Sequence, residues 1–380
     1  MVGAPVTVEV IPLQVGDTAD FITFPWHVYA GDHLWAPPVI QERRAFLDPR
    51  RNPFHEHAQV QLFLARDGRR PVARVAAVIN AAHDRCHAER AGFFGFFDFL
   101  PYAEDAATAL LGAAEAWVRE RGATFLRGPV NLSMNELDCG LLVEGFGTAP
   151  VFGSAYNPAY YCAALDLAGF VKCKDLLAFY RHYYPPPPPR IVRALEARAR
   201  LKPRSPVTVR SIKMQDLQEE ALRIASIYNE AWSDNWGFVP ITEAEARYLA
   251  GHLKAIILPE LSLMAEIDGQ PIACFVAIPD FNQVLRRLRG RLTPWGILRV
   301  AWQRRRIDTI RVVLLGVKKA YRGRGIDMSL LMEIWKRRPK QGLHWELGWI
   351  LEDNYLMIRI MEQIGAVAYK RYRLYQKTFS

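Results

Sequence analysis

Residues 321–327 read YRGRGID, between RVVLLGV (311–317) and MSLLMEIWKRR (328–338). The first flank is a short, β-branched apolar run, which predicts a strand; the second spaces its apolar residues as a helix does. Strand, glycine-bearing turn and helix together point backbone N–H groups at an anion. Gly323 and Gly325 let the backbone approach a ligand closely, and Arg322 and Arg324 add positive charge. The stretch therefore predicts a phosphate cradle. Asp327 opposes it in charge, yet Asp is favoured where a helix begins because it answers orphan N–H groups.

Outward from this turn the chain reads as two copies of one plan. YYPPPPPRI (183–191) is a stiff segment that neither helix nor sheet absorbs, so it marks a boundary. Before it come a strand at 6–13, a hairpin over 60–80 turning on Asp67–Gly68, a strand at 92–99, a helix over 103–122 and a strand at 124–130. After it come a strand at 207–212, a helix near 216–231 and a hairpin over 261–278 turning on Asp268–Gly269. The strand, turn and helix around 311–338 follow, then a strand at 344–351, a helix over 354–364 and a strand at 369–377. This order predicts an α/β protein on a mixed (α+β) sheet, duplicated: a domain over 1–184, a Pro-rich linker and helix over 185–204, and a domain over 205–380.

Composition agrees with two folded domains: 380 residues, 51% hydrophobic and 23% charged, supply a full core for each. The net charge of +10 favours anionic partners: nucleic acid, acidic lipid, an acidic carrier protein or a polyphosphate cofactor. An Arg-rich composition alone accounts for the same number. Five cysteines, an odd count without a CxxC, read as reduced thiols of a cytoplasmic protein. The opening MVGAPVTVEVIPLQ lacks the basic start and long apolar stretch of a signal peptide, and no run of about 18 apolar residues predicts a membrane span.

With those elements in place, the second half resembles the GNAT superfamily of acyl-CoA-dependent N-acyltransferases. The family signature R/Q-x-x-G-x-G/A at a strand–helix junction is met by Arg322, Gly323, Arg324, Gly325 and Ile326, and departed from at Asp327. A second signature, Asn-x-x-Ala…Tyr-x-x-x-Gly-Phe, falls on Asn354, Met357, Met361, Gly365 and Ala366. The resemblance covers 205–380. It implies that the turn amides, with Leu315 and Val317 of the preceding strand, hold the pyrophosphate and arm of coenzyme A, and that Asn354 helps to position cofactor or substrate. Acyl-CoA is then a co-substrate, no metal is needed, and Asp327 leaves room for an acyl carrier protein as donor. The first half has no glycine loop: after its strand at 92–99 it reads LPYAEDAA, so it resembles the degenerate repeat of a tandem member.

Amide formation needs a neutral amine, whereas an alkyl ammonium has a pKa of about 10, so a base must take a proton. Glu346 and Glu352 lie at even spacing in HWELGWILEDN, on the strand that borders the acyl site in the resembled family. Glu346 is the first candidate and Glu352 the second; Glu352 and Asp353 equally suit capping of the next helix beside Asn354. Met361 stands where the family often has a tyrosine that protonates the leaving thiolate, a loss that a good leaving group tolerates. Tyr369, Tyr372 and Tyr375 are candidate acids or simply alternate-face strand residues.

On the acceptor side, the glycine- and aromatic-rich run 131–165 suits a binding loop, with Asn131, Asn135, Glu136, Tyr156, Asn157 and Tyr161 as candidate substrate contacts; a packed loop without ligand is the competing reading. His83 and His87, with His55 and His57, fall in what reads as strand end and loop, so no metal site is expected. The insert 285–306 holds eight arginines, no acid and two tryptophans. It suits an anionic membrane surface, a solvated basic face or an acidic carrier protein. The reading that follows is a tandem acyltransferase moving a long acyl chain onto a lipid-like amine such as a sphingoid base, cytoplasmic and peripheral on the inner face of the membrane. Alternatives are an aminoacyl-tRNA-dependent or small-molecule N-acetyltransferase, or a non-catalytic module binding nucleic acid.

Overall fold

The computed structural model describes residues 8–379, apart from 15, 183–188, 200–206, 255, 292–293 and 338–343. The polyproline run at 183–188 therefore lies outside the described residues. Two compact units divide the chain: Met1–Leu176 with Leu285–Ile297 and Lys370–Ser380, and Leu177–Val284 with Leu298–Tyr369.

The first unit holds β1 (Val8–Pro12), β2 (Ala58–Asp67), β3 (Arg70–Asn80), β4 (Ala91–Phe99), β5 (Phe125–Gly128) and β6 (Leu141–Glu144), together with the start of β7 (Val171–His182). The second holds the end of β7, then β8 (Thr208–Ser211), β9 (Ser262–Ile267), β10 (Gln270–Pro279), β11 (Thr309–Val317) and β12 (His344–Leu351). The last strand, β13 (Val367–Thr378), starts in the second unit and finishes in the first. Six helices frame the argument: α1 (Glu104–Arg119), α2 (Leu217–Ala231), α3 (Glu243–Leu253), α4 (Pro294–Gln303), α5 (Ile326–Arg337) and α6 (Tyr355–Gln363).

In the first unit the sheet runs β1-β2-β3-β4-β5-β13, with β6 also on β13. Only β4 and β5 in this run are parallel, joined through the crossover helix α1. Leu110, Leu111, Ala114 and Val118 of α1 are buried among Val75, Ala77 and Phe94 of the sheet. Gly92 makes that close packing possible, since a Cβ there would stand 2.6 Å from a Val118 methyl. The second unit repeats the scheme as β8-β9-β10-β11-β12 followed by the end of β7, with β11 and β12 parallel and α5 as the crossover. Ile326, Leu330 and Ile334 of α5 and Met361 of α6 pack with Ile310, Val312, Trp345 and Leu347. Helix α2 uses Ile227 and Ala231 against Cys274, and Leu217 against Val276; α3 is started by a capping box between Thr242 and Glu245.

Three features depart from the expected outline. The carboxy-terminal strand completes the first unit's sheet, pairing Tyr375 with Gly128 through Thr378 with Phe125. Segment 81–87 is a helix and not a loop: the Asn80 side chain accepts from the N–H groups of Ala82 and His83 and starts it. Finally, the insert is divided. Its first part packs within the first unit, where Ile40 N–H donates to Gly290 O at 3.1 Å and Trp26 Nε1 to Arg289 O at 3.3 Å. Gly290 has φ +77°, and a Cβ there would stand 2.3 Å from the Trp26 ring, so a larger residue would lose this contact.

Candidate active site

The strand before the glycine turn carries one extra residue. Leu314 pairs with Val276 and Val312 with Ala277 on β10, which leaves Val313 as a bulge. Toward β12 the ladder runs from Thr309↔His344 to Val312↔Leu347. Both strands then continue, to Val317 and Leu351, without pairing to each other among the described residues. The two strands part at the bulge. Lys318 N–H donates to Ile272 O on β10 at 2.9 Å. Backbone groups alternate between the two edges of a strand. The N–H groups of Leu315 and Val317 therefore face the parting, where a ligand's amide groups are their natural partners.

At the end of β11 the turn opens. Gly323 and Gly325 both take the left-handed conformation, at φ +73° and +75°, and the space beyond Gly323 is empty to 4 Å. Arg322 anchors the turn by donating to Val317 O at 3.3 Å and to Ala231 O. Arg324 lies over the Tyr321 ring and is exposed. Ile326 is buried beneath as the first residue of α5, and Ser329 N–H closes that turn on Gly325 O at 2.9 Å. Asp327 is half-buried in the first helical turn.

Below the parting, the residues between the core positions of β11 and β12 point to the opposite face. Arg311 and Glu346 are register partners there, with Nε and Oε2 3.1 Å apart and side-chain exposures of 1% and 0%. Gly348 is close-packed beside them, since a Cβ there would stand 3.2 Å from Glu346 Oε1 and 3.0 Å from Ala178 Cα. Two residues back along β12, the His344 ring stacks on Tyr180 at 5.6 Å and meets His182 at 4.6 Å. Tyr180 also meets Tyr369 at 5.5 Å. Burial, then Asp308 and Asp280, push the Tyr180 hydroxyl above the usual phenol range, so it stays protonated. Arg311, Tyr180, His182 and His344 were not among the expected site residues. Their signal was present: a cation inside an apolar strand, and a Tyr-Arg-His run ending β7.

Asn354 begins α6, its side chain accepting from Met357 N–H at 3.2 Å, and it is exposed. Glu352 is half-buried just past the end of β12. Met361 is 4% exposed in the second unit's core, which accounts for its apolar character. Tyr372 and Tyr375 are buried in the first unit.

The expected acceptor loop is largely committed to its own unit. Asn131 Oδ1 accepts from Phe96 N–H at 2.8 Å. Asn157 accepts from Leu142 N–H at 2.7 Å and donates to Leu142 O at 3.2 Å. Tyr161 is fully buried and donates to Asp98 at 3.1 Å, while Tyr156 donates to Asp32 at 2.7 Å. Burial first, and the acids beside them, push both hydroxyls up. The backbone N–H of Asn135 turns back on Ser133 Oγ at 3.1 Å, and Glu136 N–H on Ser133 O at 3.2 Å. These contacts show polar atoms of Asn131, Asn157 and Tyr161 building the loop itself.

No protein-family model matches the chain. It is 36% identical over 379 residues to the bacterial ceramide synthase of Caulobacter vibrioides, covering 97% of each chain. It is 34% identical over 374 residues to protein YghO of Escherichia coli, covering 96% of this chain and 94% of that one. Among solved structures, a tandem GNAT protein from the clavulanic acid biosynthesis pathway superposes with TM-score 0.57 at 13% identity, over 98% of each chain. A GCN5-related N-acetyltransferase from Sphaerobacter thermophilus gives 0.51 at 15% identity, over 98% of this chain and 95% of that one. The structural likeness establishes the doubled acyltransferase fold, and the sequence identity along nearly the whole length establishes kinship. The chain belongs to the family of the bacterial ceramide synthase and carries a tandem GNAT fold.

Proposed function

We propose that this N-acyltransferase moves a long-chain acyl group from acyl-CoA to the primary amine of a sphingoid base, at a membrane surface where both lipids meet. The observation that carries the donor assignment is the parting of β11 and β12 directly below an open, two-glycine turn. The diphosphate sits on the turn amides and under Arg324, and the pantetheine arm runs along Leu315 and Val317. The acceptor assignment is supported by the name of the Caulobacter relative.

Glu346 is the proposed base. Its carboxylate is held 3.1 Å from the Arg311 guanidinium, which fixes its position on β12. The ammonium gives one proton to Glu346, the amine nitrogen bonds to the thioester carbon, and the C–S bond breaks. Glu346 passes that proton on to the departing thiolate, which leaves as the free thiol, and the nitrogen's remaining extra proton passes out to solvent through the neighbouring polar groups. Backbone N–H groups along the parted strand edge stabilise the charge that develops on the thioester oxygen. Glu352 is the second candidate base, and Asn354 orders the helix beside the donor.

Incubation of the purified chain with palmitoyl-CoA and sphinganine, with product mass as readout, tests the reading. The expected product is the amide, formed faster than from acetyl-CoA. Equal use of acetyl-CoA with no acylation of sphinganine sinks it. An acylated carrier protein, offered in the same assay, reports whether the phosphopantetheine arm must arrive on coenzyme A.

A further inference from the structure

One helix carries an apolar face that the described residues leave exposed. Trp295, Leu298 and Trp302 of α4 are 81%, 62% and 59% exposed. Their spacing of three and four residues puts them on one stripe of this helix. Large apolar side chains scattered singly over a surface are ordinary; three aligned on a ten-residue helix are not. Gly296 and Gln303, on the other side of the same helix, are buried, so α4 is seated with this stripe outward.

Cations flank the stripe. Arg291 precedes the helix, Arg304 and Arg306 follow it, and all three are exposed. Arg306 lies 4.2 Å from the Trp302 ring centroid, holding a cation at the edge of the apolar strip. From Phe281 to Ile307 the chain has no acidic residue. Indole rings and a leucine beside arginines match the boundary between acyl chains and anionic headgroups, where the rings have both an apolar layer and polar partners. A second copy of the chain fits poorly, because two such faces meeting on a twofold axis would oppose arginine with arginine. A nucleic acid would answer the arginines and leave Trp295 and Leu298 in water.

We infer that α4 lies flat in the interface of an anionic bilayer, with Trp295, Leu298 and Trp302 inserted and Arg291, Arg304 and Arg306 on the headgroups. The inference rests on the proposed lipid acceptor for its purpose, and on the exposed stripe for its evidence. Its test is flotation of the full chain with vesicles of phosphatidylcholine alone and of phosphatidylcholine mixed with phosphatidylglycerol. The chain is expected to float with the anionic vesicles and to remain behind with the neutral ones. The Trp295→Ser, Trp302→Ser double variant is expected to lose this binding by on the order of tenfold or more. High salt should weaken the wild type but not release it as fully as the serines do. The variant's melting temperature and its rate on sphinganine in detergent micelles are expected to match the wild type. Equal flotation of variant and wild type overturns the docking helix. So does a dimer in solution that buries these tryptophans, or retention on DNA in place of vesicles. Absence of sphinganine acylation in micelles would instead remove the proposed acceptor while leaving vesicle binding to be read on its own.

Discussion

The two units begin the same way and end differently. In each, a parallel pair of strands is joined through a helix, the first strand of the pair is bulged, and the pair stops bonding part-way along. In the first unit β4 pairs with β5 from Ala91↔Phe125 to Phe93↔Arg127, and the bulge falls opposite Val75, with Phe96 at φ +48°. There the chain beyond β5 closes the parting itself. Val130 N–H donates to Phe94 O at 2.7 Å, and Asn131 Oδ1 accepts from Phe96 N–H at 2.8 Å. A Cβ on Gly95 would stand only 1.9 Å from Val130 O, so Gly95 is what lets the plug lie flat. In the second unit β11 and β12 stay unpaired to each other beyond Val312 and Leu347 among the described residues, and two glycines occupy the turn that the first unit fills with LPYA. A handful of residues beyond the second strand decides whether the same architecture makes a site or a piece of core.

Each unit also buries an arginine–carboxylate pair, and the pairs differ in what surrounds them. Asp98 takes Arg74 Nε at 2.8 Å, Tyr161 at 3.1 Å and Tyr29 at 3.3 Å, a hub in which the carboxylate is fully used by the fold. Glu346 faces Arg311, and Gly348 beside it lets β12 pack closely against Ala178. The largest expected effect follows from that contrast. Glu346→Gln is expected to lower kcat by on the order of 10²–10⁴-fold while the chain stays folded, as loss of a general base does. Full activity of the variant would move the role to Glu352, and Glu352→Gln would then show the loss. Glu346→Ala should in addition unfold more easily, by roughly 3–5 kcal/mol, because Arg311 is left buried without its partner.

Asp98→Ala should behave in the opposite sense. It leaves the Arg74 charge buried without its carboxylate and removes one acceptor from two tyrosine hydroxyls, so a loss of roughly 3–5 kcal/mol is expected in denaturant unfolding. The rate per folded molecule should be unchanged. A fall in that rate at unaltered stability would make the first unit's pair part of the chemistry and erase the contrast.

The sequence exposed what is periodic and local. The two hairpins turn on Asp67–Gly68 and Asp268–Gly269 because a left-handed position favours glycine, and the strand–turn–helix at 321–327 was readable for the same reason. What it hid is long-range. Nothing local to VAYKRYRLYQKT says that it closes a sheet begun by β1 at the other end of the chain, since that is settled by pairing with β5 and β6. Tyr180 and His344 meet only because the end of β7 borders β12, and β7 itself was missed beside the polyproline run. Asn131 and Tyr161 looked like ligand contacts for the reason that they are good structural ones: side-chain amides and phenols near glycines also satisfy backbone groups.

Asn131→Ala tests the plug. It deprives the Phe96 N–H of its acceptor, and a cost of about 1–3 kcal/mol is expected, with acyl transfer per folded molecule preserved. Hydrogen exchange at Phe96 and Val130 should quicken while amides of β11 stay as they were. Quickened exchange throughout the second unit instead would show that the closed parting supports the open one.

The smallest effect separates two roles for one residue. Asn354 accepts from Met357 N–H, an acceptor-only task that aspartate performs equally well at a helix start. Asn354→Ala should therefore cost about 1 kcal/mol, and Asn354→Asp should restore the stability. If capping is the whole role, the Asp variant also restores the KM for acyl-CoA. If the side-chain N–H₂ also donates to the donor, aspartate recovers the melting temperature and leaves KM raised, because it brings no donor and sets a negative charge near the diphosphate. The first unit has no counterpart to this residue, since after β5 its chain turns into the plug, so the outcome bears on the open site alone.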